Sequence, residues 1–239
     1  KAVAKLGVAC VNVAPSCSLM HVPWSLERET GLDTEVRSSL VFAAEKLHEV
    51  SLVSRALSEG RGAVAHELAE NAAALAARRS STRVHRASVQ TRLATITPDD
   101  LRRRSPYNKR AGVQAAVLRL PLLPTTTIGS LPQTDELRRM RAQWRANQAR
   151  RRDYEDFVWQ AIKDAVEWQD KAGLDVIVHG EFERDDMVDH FGQQLDGFAF
   201  TRHGWVQSFG TRCVRPPIIY GDVERPGPMT VEHSRFAQM

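Results

Sequence analysis

The sequence predicts an α/β fold in which helices alternate with the strands of a parallel sheet. The chain has 239 residues, of which 42% are hydrophobic and 26% charged, which is the composition of a globular protein able to bury a core. Short apolar runs alternate with segments of helical periodicity, and polar residues follow the runs directly. This alternation fits a closed barrel or an open doubly wound sheet, and periodicity does not separate the two.

The first third of the chain is predicted to contain one strand and two helices. Residues 8–13 form an apolar run typical of a buried strand. A helix is expected from the N-cap Asp33 to Gly60, because its apolar residues recur at spacings of three and four. These residues are expected to face a core: Val36, Leu40, Ala43, Leu47, Val50, Val53 and Leu57. A second, alanine-rich helix is predicted over residues 63–77.

Periodicity is lost after this second helix. The stretch from residue 79 to about residue 118 mixes Ser, Thr, Arg and Pro, with short helical segments only near residues 89–93 and 108–117. This composition is typical of a boundary between domains.

The alternation resumes beyond the boundary. The predicted elements are the strands Thr125–Ile128 and Leu174–Val178, and helices over 135–148, 154–172 and 186–195. The stretch 198–220 is aromatic and rich in β-formers, which predicts a β-hairpin excursion from the alternation.

Polar residues follow both predicted strands. Ser130 comes after the first strand, and His179 and Glu181 come after the second. These positions are the carboxyl ends of the predicted parallel strands, where ligands bind in both candidate architectures. A carboxylate can hold an ammonium group, while a hydroxyl and backbone N–H groups can hold a carboxylate. Ser130 and Glu181 therefore indicate a site for a zwitterionic amino acid, and the alternative is a structural ion pair at a strand end.

The patterns of several other enzyme classes are missing. His179 and Glu181 match half of the zinc deaminase signature, but the sequence has no C-x-x-C, which excludes that class. P-loop, dinucleotide and nucleophile-elbow motifs are also missing. Cys17 and His21 are interpreted as loop or packing residues. The cysteines lack a framework spacing, which favours a reducing compartment; they are Cys10, Cys17 and Cys213.

The chain is mildly basic, with a net charge of +4. Its arginines cluster at residues 102–104, 138–139 and 150–152. They could bind a polyanion, but no aromatic residues interleave with them as in a stacking platform. Solvated helix faces and a linker are the favoured interpretation. No apolar run has the length needed to span a membrane.

Long segments of the chain resemble the cobalamin-independent methionine synthase family. They cover residues 122–138, 173–188 and 191–217, and shorter matches extend the resemblance over essentially the whole chain. The resemblance implies parts of two TIM-like (β/α)8 barrels joined by a linker. Residues 1–78 would end the N-terminal barrel, 79–121 would form the linker, and 122–239 would begin the catalytic barrel.

The family transfers a methyl group from 5-methyltetrahydropteroyl-polyglutamate to L-homocysteine. Zinc activates the homocysteine thiol, and cobalamin is not used. The resemblance implies that homocysteine is bound by Ile128, Gly129, Ser130 and Glu181. It also implies that Arg212 and Cys213 contact the folate. It assigns no catalytic residue and no metal ligand to this chain.

The sequence also departs from the family. The zinc ligands and the proton-donating histidine of the family lie downstream of the last matching motif, so the chain is expected to be an inactive internal fragment. Leu131 and Phe182 replace an aromatic and a small residue beside the amino-acid site. The parent protein is expected to be cytoplasmic and monomeric, without nucleic-acid or membrane partners. Three alternatives stay open: a related barrel enzyme with another methyl donor, a basic polyanion-binding module, and an unstable remnant.

Overall fold

The computed structural model describes residues 5–7 and 10–239 and has a mixed α/β architecture. Helices predominate, and the strands are few and short. The α-helices from residue 34 onward are α1 (Thr34–Ser38), α2 (Ala43–Ser58), α3 (Ala65–Ser80), α4 (Ala87–Ala94), α5 (Tyr107–Leu118), α6 (Asp135–Arg145), α7 (Arg151–Lys171), α8 (Met187–Gly192) and α9 (Val231–Ala237), and short 3-10 helices lie at Leu19–His21 and Arg61–Val64. The strands there are β1 (Asp196–Ala199), β2 (Val206–Gln207), β3 (Cys213–Val214) and β4 (Ile218–Glu224).

The residues group into two compact units. The first combines the described residues up to Ala94 with Phe191–Pro226. The second combines Thr95–His190 with Gly227–Met239. The first unit is therefore built from two segments that are far apart in the sequence.

The helix predicted from Asp33 to Gly60 is interrupted. Asp33 caps α1 as expected, accepting hydrogen bonds from the backbone N–H groups of Glu35 and Val36 at 3.0 and 3.2 Å. The chain then leaves the helical conformation, and α2 begins after Phe42, whose backbone N–H donates to Glu45 Oε2 at 3.1 Å. The single-helix prediction was wrong because a second helix start lies inside the periodic stretch.

The prediction of a continuous core-facing stripe was also wrong. Val36 and Ala43 are buried, but Leu47 and Val53 on α2 are 53% and 45% exposed. Along α2, the apolar side borders an open groove shared with α3, lined by Val53, Leu57 and Leu68 among others. Helical periodicity identified the apolar face but could not show whether a neighbouring element covers it.

The strand predicted for residues 8–13 is not found. Val8 and Ala9 lie outside the described residues, and the backbone N–H of Cys10 donates to Gly7 O at 3.2 Å. Residues 11–13 have no regular structure. For the described part of this run, the strand prediction was wrong.

The remaining helix predictions were confirmed with shifted ends. The short segments expected near 89–93 and 108–117 are α4 and α5. The alanine-rich helix is α3, and the three helices expected beyond residue 134 are α6, α7 and α8. Within the described residues, none of the helices has the length and apolarity required to cross a membrane.

Two antiparallel strand pairs form in the first unit. β1 pairs with β4 in the register Phe198↔Ile219, with an irregularity after Asp196. β2 pairs with β3 in the register Val206↔Val214.

An arginine fastens the start of α4 to the first of these pairs. Arg86 Nη1 lies 2.7 Å from carboxylate oxygens of both Asp196 and Glu224. Its backbone N–H donates to Asp222 Oδ2 at 2.9 Å, and Asp222 N donates to Val84 O at 2.8 Å. This set of contacts joins residues that are more than 100 positions apart in the chain.

A buried carboxylate makes a second long-range contact in the first unit. Glu29 is only 1% exposed. It accepts hydrogen bonds from the backbone N–H groups of Arg202 and His203 at 2.8 and 2.7 Å. Because a buried carboxylate requires such donors, Glu29 fixes the turn that leads into β2.

The core of the second unit lies between α6 and α7. Its buried members come from both helices and from the loop before α8: Leu137, Tyr154, Val158, Ile162, Ala165 and Phe182. The side chain of Trp144 stacks on Tyr154 with ring centroids 4.8 Å apart. Trp159 of α7 packs against His233 and Phe236 of α9.

The predicted strands Thr125–Ile128 and Leu174–Val178 are extended segments without a ladder. The one isolated bridge among the described residues joins Ser130 to Gly180, just beyond both segments, in parallel orientation. Side chains satisfy much of the neighbouring backbone: Gln169 bonds both the C=O and N–H of Val178, and Asp175 accepts from Thr125 N at 2.8 Å. The strand predictions were wrong because a strand requires a regular backbone partner.

Two histidines of the second unit should make stability depend on pH. Burial lowers the pKa of His190 and of His233 below the usual value of 6.5. A folded-state pKa below the unfolded one means that the unfolded chain takes up more protons, so stability falls as pH drops below about 6.5. Urea titrations at a series of pH values below about 6.5 measure this loss of stability. We expect the loss to be smaller in His233→Phe, in which the phenyl ring can keep the stacking on Trp159.

His48→Phe is the control, because His48 is exposed on α2. It should leave the pH dependence of unfolding unchanged. An unchanged slope in the His233 variant would contradict the assignment.

Candidate functional site

Two turns of the second unit meet at the Ser130–Gly180 bridge. Leu131 N donates to Gly180 O at 3.0 Å, and Val176 N donates to Thr125 O at 3.0 Å. The segments Thr125–Leu131 and Asp175–Glu181 therefore run side by side in the same direction. This arrangement brings together the residues that sequence reasoning singled out after each apolar run.

The backbone of both turns adopts positive φ angles. Gly129 has φ 103° and Gly180 has φ 87°, a region that favours glycine. Glu181 has φ 61°, which is uncommon for a residue with a side chain and is frequent at ligand sites. At Gly129, an added Cβ would lie 3.2 Å from Glu181 Oε1. The carboxylate of Glu181 thus rests directly on the glycine of the opposite turn.

Glu181 is held by an arginine that the sequence did not single out. Arg184 Nη2 lies 2.7 Å from Glu181 Oε1, and Arg184 Nε donates to Glu181 Oε2 at 3.2 Å. The Glu181 side chain keeps 28% of its surface exposed, against 11% for Arg184. The carboxylate is fixed in orientation while one side of it remains open to solvent.

A second carboxylate lies behind this pair. Glu183, whose side chain is 5% exposed, forms an ion pair with Arg184 Nη1. His179 Nε2 lies 3.1 and 3.2 Å from the two Glu183 oxygens. Burial by itself would raise the pKa of Glu183, but the hydrogen bond from His179 and the nearby charges outweigh burial and lower it to about 2.

A buried arginine braces both turns from the core side. Arg141 Nη2 donates to Phe182 O at 2.7 Å and to Gln133 Oε1 at 2.8 Å. Gln133 Nε2 in turn donates to Glu181 O at 3.4 Å. Sequence reasoning read this stretch only as part of an arginine-rich helix, and the one available signal was its position on the apolar side of α6.

The other predicted residues of this turn differ in exposure. Ile128 is 93% exposed and Ser130 is also exposed. By contrast, Phe182 is buried in the core, and Leu131 packs against the same cluster. The two residues that depart from the family pattern therefore contribute to packing between the turns and helices α6 and α7.

Arg212 and Cys213 belong to the first unit. Arg212 N donates to Phe209 O at 3.0 Å, and Arg212 O accepts from Ser208 N at 2.9 Å. Cys213 begins β3 opposite Gln207. Both residues are exposed, which makes their side chains accessible to a ligand on this turn.

The described residues do not fit a zinc ion. Within residues 5–7 and 10–239, no three His, Cys, Asp or Glu side chains are grouped so that they could hold a metal. All three cysteines are free and exposed. His179 is engaged with Glu183, and His21 Nδ1 lies 3.1 Å from Gln207 O.

The arginine run at the start of α7 is paired locally. Its three members lie within 4 Å of acids three or four residues later, namely in the pairs Arg150–Asp153, Arg151–Glu155 and Arg152–Asp156. Such pairs are typical of a solvated helix face. This geometry favours the surface interpretation of the run over a polyanion site.

Comparison with known proteins identifies relatives of the chain. Residues 123–239 match the family model described as the catalytic domain of cobalamin-independent synthase. The chain is 54% identical over 236 residues to 5-methyltetrahydropteroyltriglutamate–homocysteine methyltransferase of Caulobacter vibrioides, and 50% identical over 236 residues to that of Nitrobacter winogradskyi. These matches cover 99% of the chain but only 30% and 31% of the two relatives.

Proposed function

Because the chain belongs to the cobalamin-independent methionine synthase family, we propose that it supplies the amino-acid end of a methyl-transfer site. The reaction moves a methyl group from 5-methyltetrahydropteroyltriglutamate to L-homocysteine and yields L-methionine. The chain spans about 30% of the length of the relatives it matches. The proposal therefore concerns a full-length protein, meaning a polypeptide that contains this sequence and has the length of these relatives.

The observation that carries the proposal is the contact between the Ile128–Ser130 turn and Glu181. In the proposed complex, the open side of the Glu181 carboxylate accepts hydrogen bonds from the homocysteine ammonium group. The Ser130 hydroxyl and nearby backbone N–H groups hold the carboxylate of the amino acid. Arg184 keeps Glu181 in a fixed orientation, so little side-chain freedom is lost on binding.

The folate is proposed to contact Arg212 and Cys213. Their exposure on the turn between β2 and β3 supports this assignment, and the guanidinium of Arg212 could pair with a carboxylate of the donor's glutamate tail. The proposal also includes the two TIM-like barrels, with residues 1–78 and 122–239 in different barrels and 79–121 between them, and the hairpin excursion near 198–220. The parallel orientation at the Ser130–Gly180 bridge agrees with barrel strands.

Zinc is part of the proposal only for the full-length protein. None of the described residues is assigned to the metal, and no step proposed for this chain depends on it. We also propose that the full-length protein is cytoplasmic and monomeric. The three free cysteines support the location, because they fit a reducing compartment.

Methyl transfer by the full-length protein tests the proposal. We expect L-methionine to form from L-homocysteine when 5-methyltetrahydropteroyltriglutamate is the donor. Formation of L-methionine only from a methylated thiol of the coenzyme M type would instead identify a related barrel enzyme. Absence of transfer from either donor, by a protein shown to contain zinc, would overturn the proposal.

Replacing Gly129 by alanine should distinguish the effect of backbone strain from the effect of displacing the Glu181 carboxylate. Both Gly129→Ala and Gly173→Ala place a Cβ at positive φ, at 103° and 74° respectively, which costs roughly 1–2 kcal/mol of stability. Only the Cβ at position 129 meets the Glu181 carboxylate, because nothing lies within 4 Å of the one at 173.

We therefore expect only Gly129→Ala to weaken binding of L-homocysteine to the full-length protein, by about tenfold. Isothermal titration of the two variants makes the comparison. An equal loss of affinity in both would show that the contact with Glu181 has no role in binding.

A further inference from the structure

The acidic groups around Arg184 outnumber its positive charge. Its guanidinium is shared between Glu181 and Glu183. An isolated Glu181–Arg184 pair would be neutral and would offer little attraction to a cation. With Glu183 included, the three side chains carry one net negative charge.

Glu183 is placed so that this charge persists at neutral pH. The pKa of its carboxyl group is about 2, because the hydrogen bond from His179 and the nearby charges outweigh the effect of burial. The Tyr154 hydroxyl donates to the backbone C=O of Glu183 at 3.4 Å, which connects Glu183 to the core. Glu183 is nearly inaccessible to solvent, with 5% of its side chain exposed, so a ligand at Glu181 does not need to touch it.

We propose that Glu183 is a positioning residue that gives the Glu181–Arg184 pair its preference for an amine. It draws part of the Arg184 guanidinium away from Glu181 and leaves the exposed carboxylate with a surplus of negative charge. The inference rests on the proposed function, since it assumes that the ammonium group of homocysteine binds Glu181. It assigns selectivity for an α-amino acid to a residue that lies outside the ligand's reach.

Two ligands distinguish this role from a structural one. L-homocysteine carries the amine, whereas 4-mercaptobutanoate has the same thiol and carboxylate without it. We expect Glu183→Gln in the full-length protein to weaken L-homocysteine binding by about tenfold, because the attraction between the ammonium group and the buried charge of Glu183 is only partly screened. Binding of 4-mercaptobutanoate should change less than twofold.

The matched control is Asp185→Asn. Asp185 is a neighbouring acid in the same loop, but its partner is Arg145, at 3.0 Å. Removing the charge of Asp185 should leave the ratio of the dissociation constants for 4-mercaptobutanoate and L-homocysteine within about twofold of its value in the unmodified protein. Glu183→Asp keeps the charge at position 183 and should also keep the ratio within about threefold, which tests the proposal even where Glu183→Gln fails to fold.

Several outcomes would overturn the inference. An equal loss for both ligands in Glu183→Gln would show a structural role, as would a loss in Asp185→Asn of the same size. A folded Glu183→Asp variant that has lost its preference for the amine would contradict a role of the charge. If Glu181→Gln weakens L-homocysteine binding and Glu183→Gln does not, only this inference fails. If Glu181→Gln also has no effect, the proposed amino-acid site itself is wrong.

Discussion

Glu181→Gln in the full-length protein is expected to weaken L-homocysteine binding by about ten- to a hundredfold. The amide keeps the shape of the side chain but removes the charge that faces the ammonium group. A hydrogen bond assisted by charge contributes roughly 1.5–3 kcal/mol, which corresponds to this range of affinity. The change also releases Arg184 from its partner at 2.7 Å, so a positive charge would then lie near the ammonium. Isothermal titration measures the effect.

The same variant should retain its zinc and its affinity for the folate donor. Glu136→Gln makes the same chemical change at an exposed position on α6 and should leave L-homocysteine binding unaltered. A Glu181 variant that binds L-homocysteine normally but has lost its zinc would place Glu181 among the residues that support the metal. That result would remove it from the amino-acid site.

Arg141→Leu should cause the largest loss of stability among single changes near the site, about 3 kcal/mol. Arg141 is buried, and its removal leaves Phe182 O and Gln133 Oε1 without their donor. A buried acceptor without a partner, such as Phe182 O, costs roughly 1–3 kcal/mol, and the half-buried Gln133 Oε1 adds a smaller loss. Urea unfolding of the chain, followed by tryptophan fluorescence, should show the midpoint shift.

Arg138→Leu, on the exposed side of the same helix, is the control. Its side chain is 66% exposed and reaches Asp135 only at 4.0 Å, so its loss should change the unfolding free energy by less than about 0.5 kcal/mol. Comparable losses in the two variants would show that Arg141 contributes through helix propensity or general charge. Its hydrogen bonds to the two turns would then be unimportant.

The sequence was informative where one segment determines its own structure. Asp33 was recognised as a cap and α7 as an amphipathic helix, since both depend on residues within a few positions of each other. The turns at Gly129 and Glu181 were located because small or polar residues follow short apolar runs. Their proximity followed from the expectation that both runs point in the same direction.

The remaining features depend on contacts that no local pattern encodes. The Thr125–Ile128 run has the composition of a strand, but Asp175 and Val176 meet its first residue and no regular ladder forms. Leu47 has the spacing of a core residue yet remains exposed. Arg141 and Glu183 resemble many other charged residues in the sequence. Only burial and their particular partners distinguish them.

The division of the first unit into two segments has a consequence for synthesis on the ribosome. Glu29 and Arg86 find their partners only after Arg202 and Glu224 have been made. At 5–20 residues per second, the interval between Ala94 and Phe191 lasts roughly 5 to 20 seconds. During that interval Glu29 and Arg86 lack these partners, while the residues of the second unit up to His190 are already being translated. Slow translation of residues 95–190 would prolong this interval.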